Sequence, residues 1–297
     1  MATRLPPWLR QKAPDPSILI EMKALLDGLS LHTVCEEAHC PNQGQCFSQG
    51  TATFLIMGDI CTRNCQFCSI RKGHPLPLDP NEPRNVALAV SQLRLKHVVI
   101  TSVTRDDLSD GGAEHFVKTI DVIRQTSPQT TIEVLIPDFL GSLEALKAVV
   151  DSSPEVINHN VETVPRLYPG VRPKADYLRS LNLLRMVKSM DNEIVTKSGM
   201  MLGLGERDDE VIEVMEELRE VDCDALTLGQ YLCPSVKHHQ VLEYISPQGF
   251  ERYKLIAEGL GFRAVASGCF VRSSFNALEM YQKVKKKRMM ASSMGET

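Results

Sequence analysis

Aromatic residues are scarce: 5% of 297 residues, with a single tryptophan. A surface that stacks nucleic-acid bases needs more of them, and a formal charge of −4 offers no basic groove. No nucleic-acid partner is expected. No stretch approaches the roughly 18–20 consecutive apolar residues of a membrane span, so no membrane partner is expected either. Residues 1–14 are basic and proline-rich, without an apolar core of signal-peptide length. The expectation is a protein held in a reducing, cytoplasmic compartment. Sequence repeats and Ser/Gly-rich linkers are missing too. What remains, 43% hydrophobic and 24% charged, is an ordinary globular composition.

What is present is an alternation. Asp15-Pro16 reads as a helix cap followed by a first-turn proline, leading a helix over 18–29. Apolar runs at 54–57, 97–103, 131–136, 156–160, 194–202 and 225–232 read as strands, with a late one at 264–270. Between them, 85–95, 113–125, 143–150, 175–189, 209–221 and 247–260 read as helices. Val211, Val214, Met215 and Leu218, for example, form one helical stripe. Six strand–helix units predict a parallel sheet covered on both faces. It is either a curved, incomplete barrel or an open doubly wound sheet, since periodicity does not separate the two. In both, functional residues collect at the C-terminal ends of the strands. The segment from Lys283, with Lys285, Lys286, Lys287 and Arg288, is expected to be a mobile, solvated tail.

Nine cysteines, an odd number, do not suit a disulfide framework in a reducing compartment. Six of them fall between Cys35 and Cys68; Cys223, Cys233 and Cys269 are scattered and read as small buried thiols. Cys61, Cys65 and Cys68 follow a predicted strand at C-x3-C-x2-C spacing, which arises by chance about 0.008 times per chain. Three thiolates on one short loop suit three corners of a four-iron cluster, leaving one iron open to a small chelating molecule. The competing reading is a zinc knuckle, but zinc sites usually bring a second cysteine pair. Here only His74 offers itself as a fourth ligand. The spacing, with Phe67 just before the last cysteine, resembles the radical SAM (S-adenosylmethionine) superfamily. That resemblance implies a partial (β/α)6 barrel and a cluster-bearing loop after the first strand. It also implies one-electron cleavage of SAM to methionine and a 5′-deoxyadenosyl radical.

A second triplet, Cys35, Cys40 and Cys46, lies upstream at C-x4-C-x5-C spacing. Alone it is ambiguous: a zinc site completed by His32 or His39, or an electron relay, would use the same residues. Paired with the first, it resembles the lipoyl synthase family. So do the stretches 101–113, 158–163, 171–177, 196–206 and 228–232, and the resemblance covers about 33–275. It implies an N-terminal extension (1–50) with an auxiliary [4Fe–4S] cluster, a radical SAM barrel (51–262) and a C-terminal extension (263–297). The auxiliary cluster's fourth ligand would be Ser273, first serine of Arg272-Ser273-Ser274-Phe275, where the family has Tyr in the last position. Serine oxygen is a poorer match to iron than thiolate, which suits a corner that must open.

The resemblance further implies that Asp110-Gly111-Gly112 contacts the methionine end of SAM. From their chemistry at strand ends, Thr101 is a further expected contact, and Glu162, with Asn158 alongside, is expected to accept from ribose hydroxyls. Lys197 and Arg179 would meet a carboxylate. His238 and His239 read as solvated loop residues. The implied activity is insertion of two sulfurs, drawn from the auxiliary cluster, into an octanoyl chain on a lysine of a lipoyl carrier protein. A low-potential electron donor and an iron–sulfur carrier protein are the other implied partners. The rival readings are a sulfur-inserting enzyme similar to biotin synthase, a non-catalytic two-cluster electron carrier, and a zinc-binding interaction module. Metal analysis separates the last: anaerobically reconstituted protein should hold about eight irons and eight sulfides per chain and no zinc.

Overall fold

The computed structural model describes residues 5–10, 16–38, 40–48 and 52–294; Asp15 and His39, named above, lie outside them. Ten strands occur in the described residues: β1 (His32–Thr33), β2 (Thr53–Ile56), β3 (Ile60–Cys61), β4 (Arg71–Lys72), β5 (His97–Ser102), β6 (Thr131–Leu135), β7 (Val156–Asn158), β8 (Val195–Leu202), β9 (Ala225–Gln230) and β10 (Ala264–Gly268). The α-helices are α1 (Pro16–Gly28), α2 (Val34–Glu37), α3 (Gln43–Ser48), α4 (Glu82–Gln92), α5 (Ala113–Thr126), α6 (Leu143–Asp151), α7 (Tyr168–Val171), α8 (Tyr177–Met190), α9 (Asp208–Glu220), α10 (Pro247–Gly259) and α11 (Ala277–Met294). Eight strands form one sheet in the order β1-β2-β5-β6-β7-β8-β9-β10, parallel throughout except for the short β1 edge. β3 and β4 make a separate two-stranded ribbon.

The sheet curves into a partial barrel. On its inward face Glu133 of β6 reaches across β7 to Lys197 of β8, Oε1 to Nζ 2.8 Å. Six parallel strands, β2 and β5 to β9, form the alternating unit, and β10 adds a seventh. The predicted strands appear in order with slightly shorter ends. Local chemistry sets several boundaries. The Ser246 hydroxyl accepts from Gly249 N at 3.1 Å, with Pro247 in the first turn of α10. The Asp176 carboxylate caps α8 through Arg179 N at 2.7 Å. Helix α4 begins three residues earlier than the apolar pattern predicts. Pro83 sits in its first turn, where no N–H is needed, and Arg94 takes φ 50° just beyond its end.

Of the expected mobile tail, residues 283–294 are instead part of helix α11, which closes the end of the barrel where the strands begin; 295–297 lie outside the described residues. Met280 and Val284 are buried against Val156, Val195, Ala225 and Ala264, the first inward residues of β7 to β10. Two apolar positions in a lysine-rich stretch are too sparse to reveal that face. A charge fixes the helix as well. Asp224, fully buried ahead of β9, takes Arg288 from α11 at 2.7 Å and Lys188 from α8 at 2.5 Å. It also pairs with Arg263 and accepts from Thr196 N at 3.0 Å. Burial alone would raise its pKa, but the Lys188 ammonium and the Arg288 guanidinium outweigh that and hold it below the usual carboxylate range. Its stabilisation is therefore present above about pH 4 and is lost as pH falls below that. Asp224→Ala strands three cations, and should lower the unfolding free energy of the metal-free protein by about 3–5 kcal/mol in a denaturant titration at pH 7.

Candidate active site

At the C-terminal ends of the strands lies a cavity of about 410 Å³. Its wall is the inward face of the barrel: Leu55, Thr101, Leu135, Asn160, Gly199 and Thr227. Cys61, Cys65, Phe67 and Cys68 line it on one side; Ala38, Pro41 and Ser273 line it on another. Both cysteine loops thus border a single space.

The first loop leaves β2 through Met57 and Gly58, at φ 69° and 86°, and is tied down at several points. Thr62 N donates to Thr104 O at 3.1 Å, and Gln66 N to Val171 O at 2.8 Å. The Lys174 ammonium donates to Thr62 O at 2.9 Å, and His238 Nε2 lies 3.1 Å from Cys68 O. His238 is thus a loop anchor rather than a purely solvated residue. Arg63, between the first two cysteines, is buried against Asp106 and Asp138.

The second loop is built from short turns. The Thr33 hydroxyl accepts from Glu36 N and caps α2, which carries Cys35. Cys40 N then donates to Cys35 O at 3.1 Å, and Cys46 N to Asn42 O at 2.9 Å. Asn42 Nδ2 reaches Phe270 O at 2.6 Å, fastening this loop to the C-terminal segment 228 positions away. That segment lies tightly on β9: a Cβ on Gly229 would stand 2.1 Å from Val271 O, so only glycine fits. Phe275 N closes a turn onto Arg272 O at 2.9 Å, and Ser273 sits within it. The turn is made by the backbone, so phenylalanine in place of tyrosine leaves it intact.

All nine cysteines are free. Among the described residues, neither triplet has its three sulfurs all within 4.8 Å of one another. His32, the other ligand considered, instead faces Glu37 and Asp59. Burial pushes the thiols up: Cys35 and Cys68 to about 12, Cys46 to about 11. Burial also raises Cys65, against the opposing charge of Arg172. Polar atoms are left over around the cavity. Ser102 Oγ, Asn160 Oδ1 and Arg172 Nε are buried, line it and have no partner within the protein. The donor set and these orphaned atoms fit a polar ligand beside a metal cluster.

Glu162 lines the cavity in a left-handed conformation, φ 65°, held by Glu162 N to Gly199 O and Met201 N to Glu162 O, both 2.9 Å. Burial raises its pKa, opposed by Arg172, its neighbour Asn160 and Arg272. Arg172 donates to Asn160 O, Val161 O and the Tyr168 hydroxyl at 3.2, 3.0 and 2.9 Å. Arg272, next to Ser273, stands close enough to Cys40 and Glu162 to feel both charges.

Other expected contacts lie elsewhere. Asp110 accepts from Gly112 N and Glu114 N at 2.9 and 2.8 Å, so it organises the start of α5. Gly111 and Gly112 likewise do not border the cavity; a Cβ on Gly112 would meet Met57 Sδ at 2.3 Å, so the close approach is to protein. Asn158 and Lys197 lie one layer below the cavity, both bound to Glu133 Oε1. Arg179 is engaged by Asp138 at 3.2 Å. Their charge or polarity is spent on protein partners that spacing could not reveal. Sequence reasoning missed Arg63, Asp138, His159 and Arg172, all on the cavity wall. Arg63 carried a signal in its place inside the cysteine motif, and His159 and Arg172 in the family-like stretches 158–163 and 171–177.

The chain matches the Radical SAM superfamily over residues 55–218, and the N-terminal domain of lipoyl synthase of the radical SAM family over 1–40. It is 59% identical over 277 residues to the lipoyl synthase of Caldanaerobacter subterraneus subsp. tengcongensis, covering 93% of this chain and 97% of that one. It is 58% identical over 280 residues to that of Alkaliphilus metalliredigens, covering 94% and 97%. Among solved structures, methylornithine synthase superposes with a TM-score of 0.50 at 12% identity, covering 82% of this chain and 81% of that one. Streptococcus suis SuiB bound to its precursor peptide SuiA gives 0.56 at 10%, covering 91% and 58%. These two share the fold alone.

The raised thiols have a direct chemical readout. In metal-free protein, iodoacetamide should modify Cys35 and Cys68 at a rate still climbing at pH 10, whereas a free cysteine levels off above its ordinary value of about 8.5. Mass spectrometry of the peptides checks this.

Proposed function

The chain belongs to the lipoyl synthase family of the radical SAM superfamily, and from that premise we propose how its own residues carry out sulfur insertion. It is a radical SAM enzyme, and its cofactors are SAM and two [4Fe–4S] clusters. When bound, the first cluster supplies the electron that splits SAM, and the second supplies sulfur. In our reading Cys61, Cys65 and Cys68 hold the first, and Cys35, Cys40 and Cys46 with the Ser273 hydroxyl hold the second.

One observation carries this reading: both cysteine loops open onto the same cavity. A carbon radical must meet its sulfur before anything else, so the two sites have to share one enclosed space. The apolar wall, Leu55, Leu135 and Met200 among it, excludes water and accepts an octanoyl chain. Thr101, Glu162 and the unpartnered atoms of Ser102, Asn160 and Arg172 orient SAM beside Cys65. Arg272 stands beside Cys40 and Glu162, between the two sites. Asp110, Gly111, Gly112, Asn158, Lys197 and Arg179 act behind this surface, by fixing the elements that bear it. An electron carrier without catalysis would have no use for a cavity between its two metal sites.

The substrate is an octanoyl group on a lysine of a lipoyl carrier protein. A low-potential electron donor and an iron–sulfur carrier that restores the consumed cluster are the partners this reading requires. Among the described residues no helix is long and apolar enough to cross a membrane, and nine free thiols suit a reducing cytoplasmic setting.

Reconstituted enzyme incubated anaerobically with an octanoyl-lysyl peptide, SAM and dithionite should yield peptide carrying two added sulfurs. Cys40→Ala should still release 5′-deoxyadenosine while adding no sulfur. Sulfur-bearing peptide from that variant would remove the donor role from the upstream triplet. Mass spectrometry reads both products.

A further inference from the structure

Arg63 occupies an unusual position. It lies between Cys61 and Cys65, yet its side chain is turned away from solvent and only 5% exposed. Its Nε and Nη2 meet the two oxygens of Asp106 at 2.8 and 2.9 Å. The same Nη2 meets Asp138 Oδ1 at 2.5 Å. Asp138 is itself 1% exposed, and its other oxygen takes Arg179 Nη1 at 3.2 Å. The two carboxylates stand on different loops, one after β5 and one after β6. A single guanidinium therefore ties the first cysteine loop to two separate strand ends.

This arrangement is neutral overall, two arginines against two aspartates, so its effect is geometric rather than a net field. Burying a guanidinium between carboxylates is weak evidence of added stability, because desolvation offsets most of the attraction. What a planar fork gives is direction: two parallel N–H bonds to one carboxylate fix both the plane and the reach of the side chain. The backbone at Arg63 is thereby fixed as well. The loop adds a second tie at the same place, Asp106 N donating to the Thr62 hydroxyl at 3.1 Å. The backbone amide so held points at a sulfur: Arg63 N lies 3.4 Å from Cys61 Sγ.

We infer that Asp106, Arg63 and Asp138 form a positioning clamp that aims the Arg63 amide at the Cys61 sulfur and thereby sets the reduction potential of the SAM-cleaving site. Hydrogen bonds to ligand sulfurs stabilise the more negative, reduced state and raise the potential. The inference rests on the assignment of Cys61, Cys65 and Cys68 made above. Lysine in place of Arg63 keeps the charge and loses the fork, so it separates orientation from electrostatics.

The experiment is an EPR-monitored redox titration of the reconstituted full-length enzyme with and without SAM, since only the SAM-binding cluster changes its signal when SAM is added. Arg63→Lys should keep the iron content of the unaltered protein and shift that cluster's midpoint to more negative potential. The reduced fraction at a fixed poise should fall by about tenfold, the scale of one hydrogen bond to a charged acceptor. Asp106→Asn, a gentler change that leaves the Asp138 contact, should give a smaller shift in the same direction. If Arg63→Lys loses iron, the Asp106→Asn titration decides. An unchanged midpoint in an iron-replete variant, with only a lowered melting temperature, would overturn the inference and leave the clamp a purely structural one. A SAM-insensitive spectrum in the unaltered protein would instead overturn the assignment of the first triplet, and this inference with it.

Discussion

Two cysteine loops border one small space, the first through Cys61, Cys65 and Cys68 themselves and the second through Val34, Ala38 and Pro41, which flank its cysteines. Burial raises the thiols of Cys35, Cys46, Cys65 and Cys68 in the metal-free chain, so the protein supplies geometry while metal uptake must remove protons. The geometry comes from two neighbouring stretches of the sequence, supported in different ways. The first triplet rides on the loop after β2, at the place where parallel strands always leave their C-terminal ends open. The second rides on an N-terminal segment with little regular structure, made firm by the Asn42 bond to Phe270. Remove that bond and the two halves of the second site lose their shortest connection.

The barrel beneath serves this constraint in layers. Nearest the cavity are small or apolar side chains, Thr101, Gly199 and Thr227 among them. Below lies a buried polar layer in which Glu133 receives Lys197, Asn158 and His97 from three other strands. Burial would raise Glu133, yet the Lys197 and His97 charges hold it at about 2. Lowest come the aliphatic starts of β7 to β10 and the helix that covers them. Polar residues in the middle of a barrel look like binding groups when read from sequence. Here they hold one another.

That distinction marks how far the sequence could be read. Cysteine spacing is local, and an iron–sulfur loop needs little else to be visible, so both triplets and the alternating fold were legible. Lys197, Asn158 and Arg179 were legible as functional in type and misplaced in role, because their partners Glu133 and Asp138 lie 25 to 64 positions away. Arg63 and Asp138 are 75 positions apart, and nothing in either stretch announces the other. The terminal helix was hidden for a related reason. Its anchoring partner, Asp224, lies 64 positions before Arg288, and a run of lysines disguised its two core residues.

Ser273 sits on an arm of eight residues, 269–276, between β10 and α11. Both ends of that arm are moored, one in the sheet and the other by the helix seated under the barrel. Along its length it is held as well, by Asn42 at Phe270, by the close packing of Val271 on Gly229 and by the turn from Arg272 to Phe275. The position of the Ser273 hydroxyl is thus inherited from the barrel and its terminal helix, and a change at either end of the chain is felt at the same short arm.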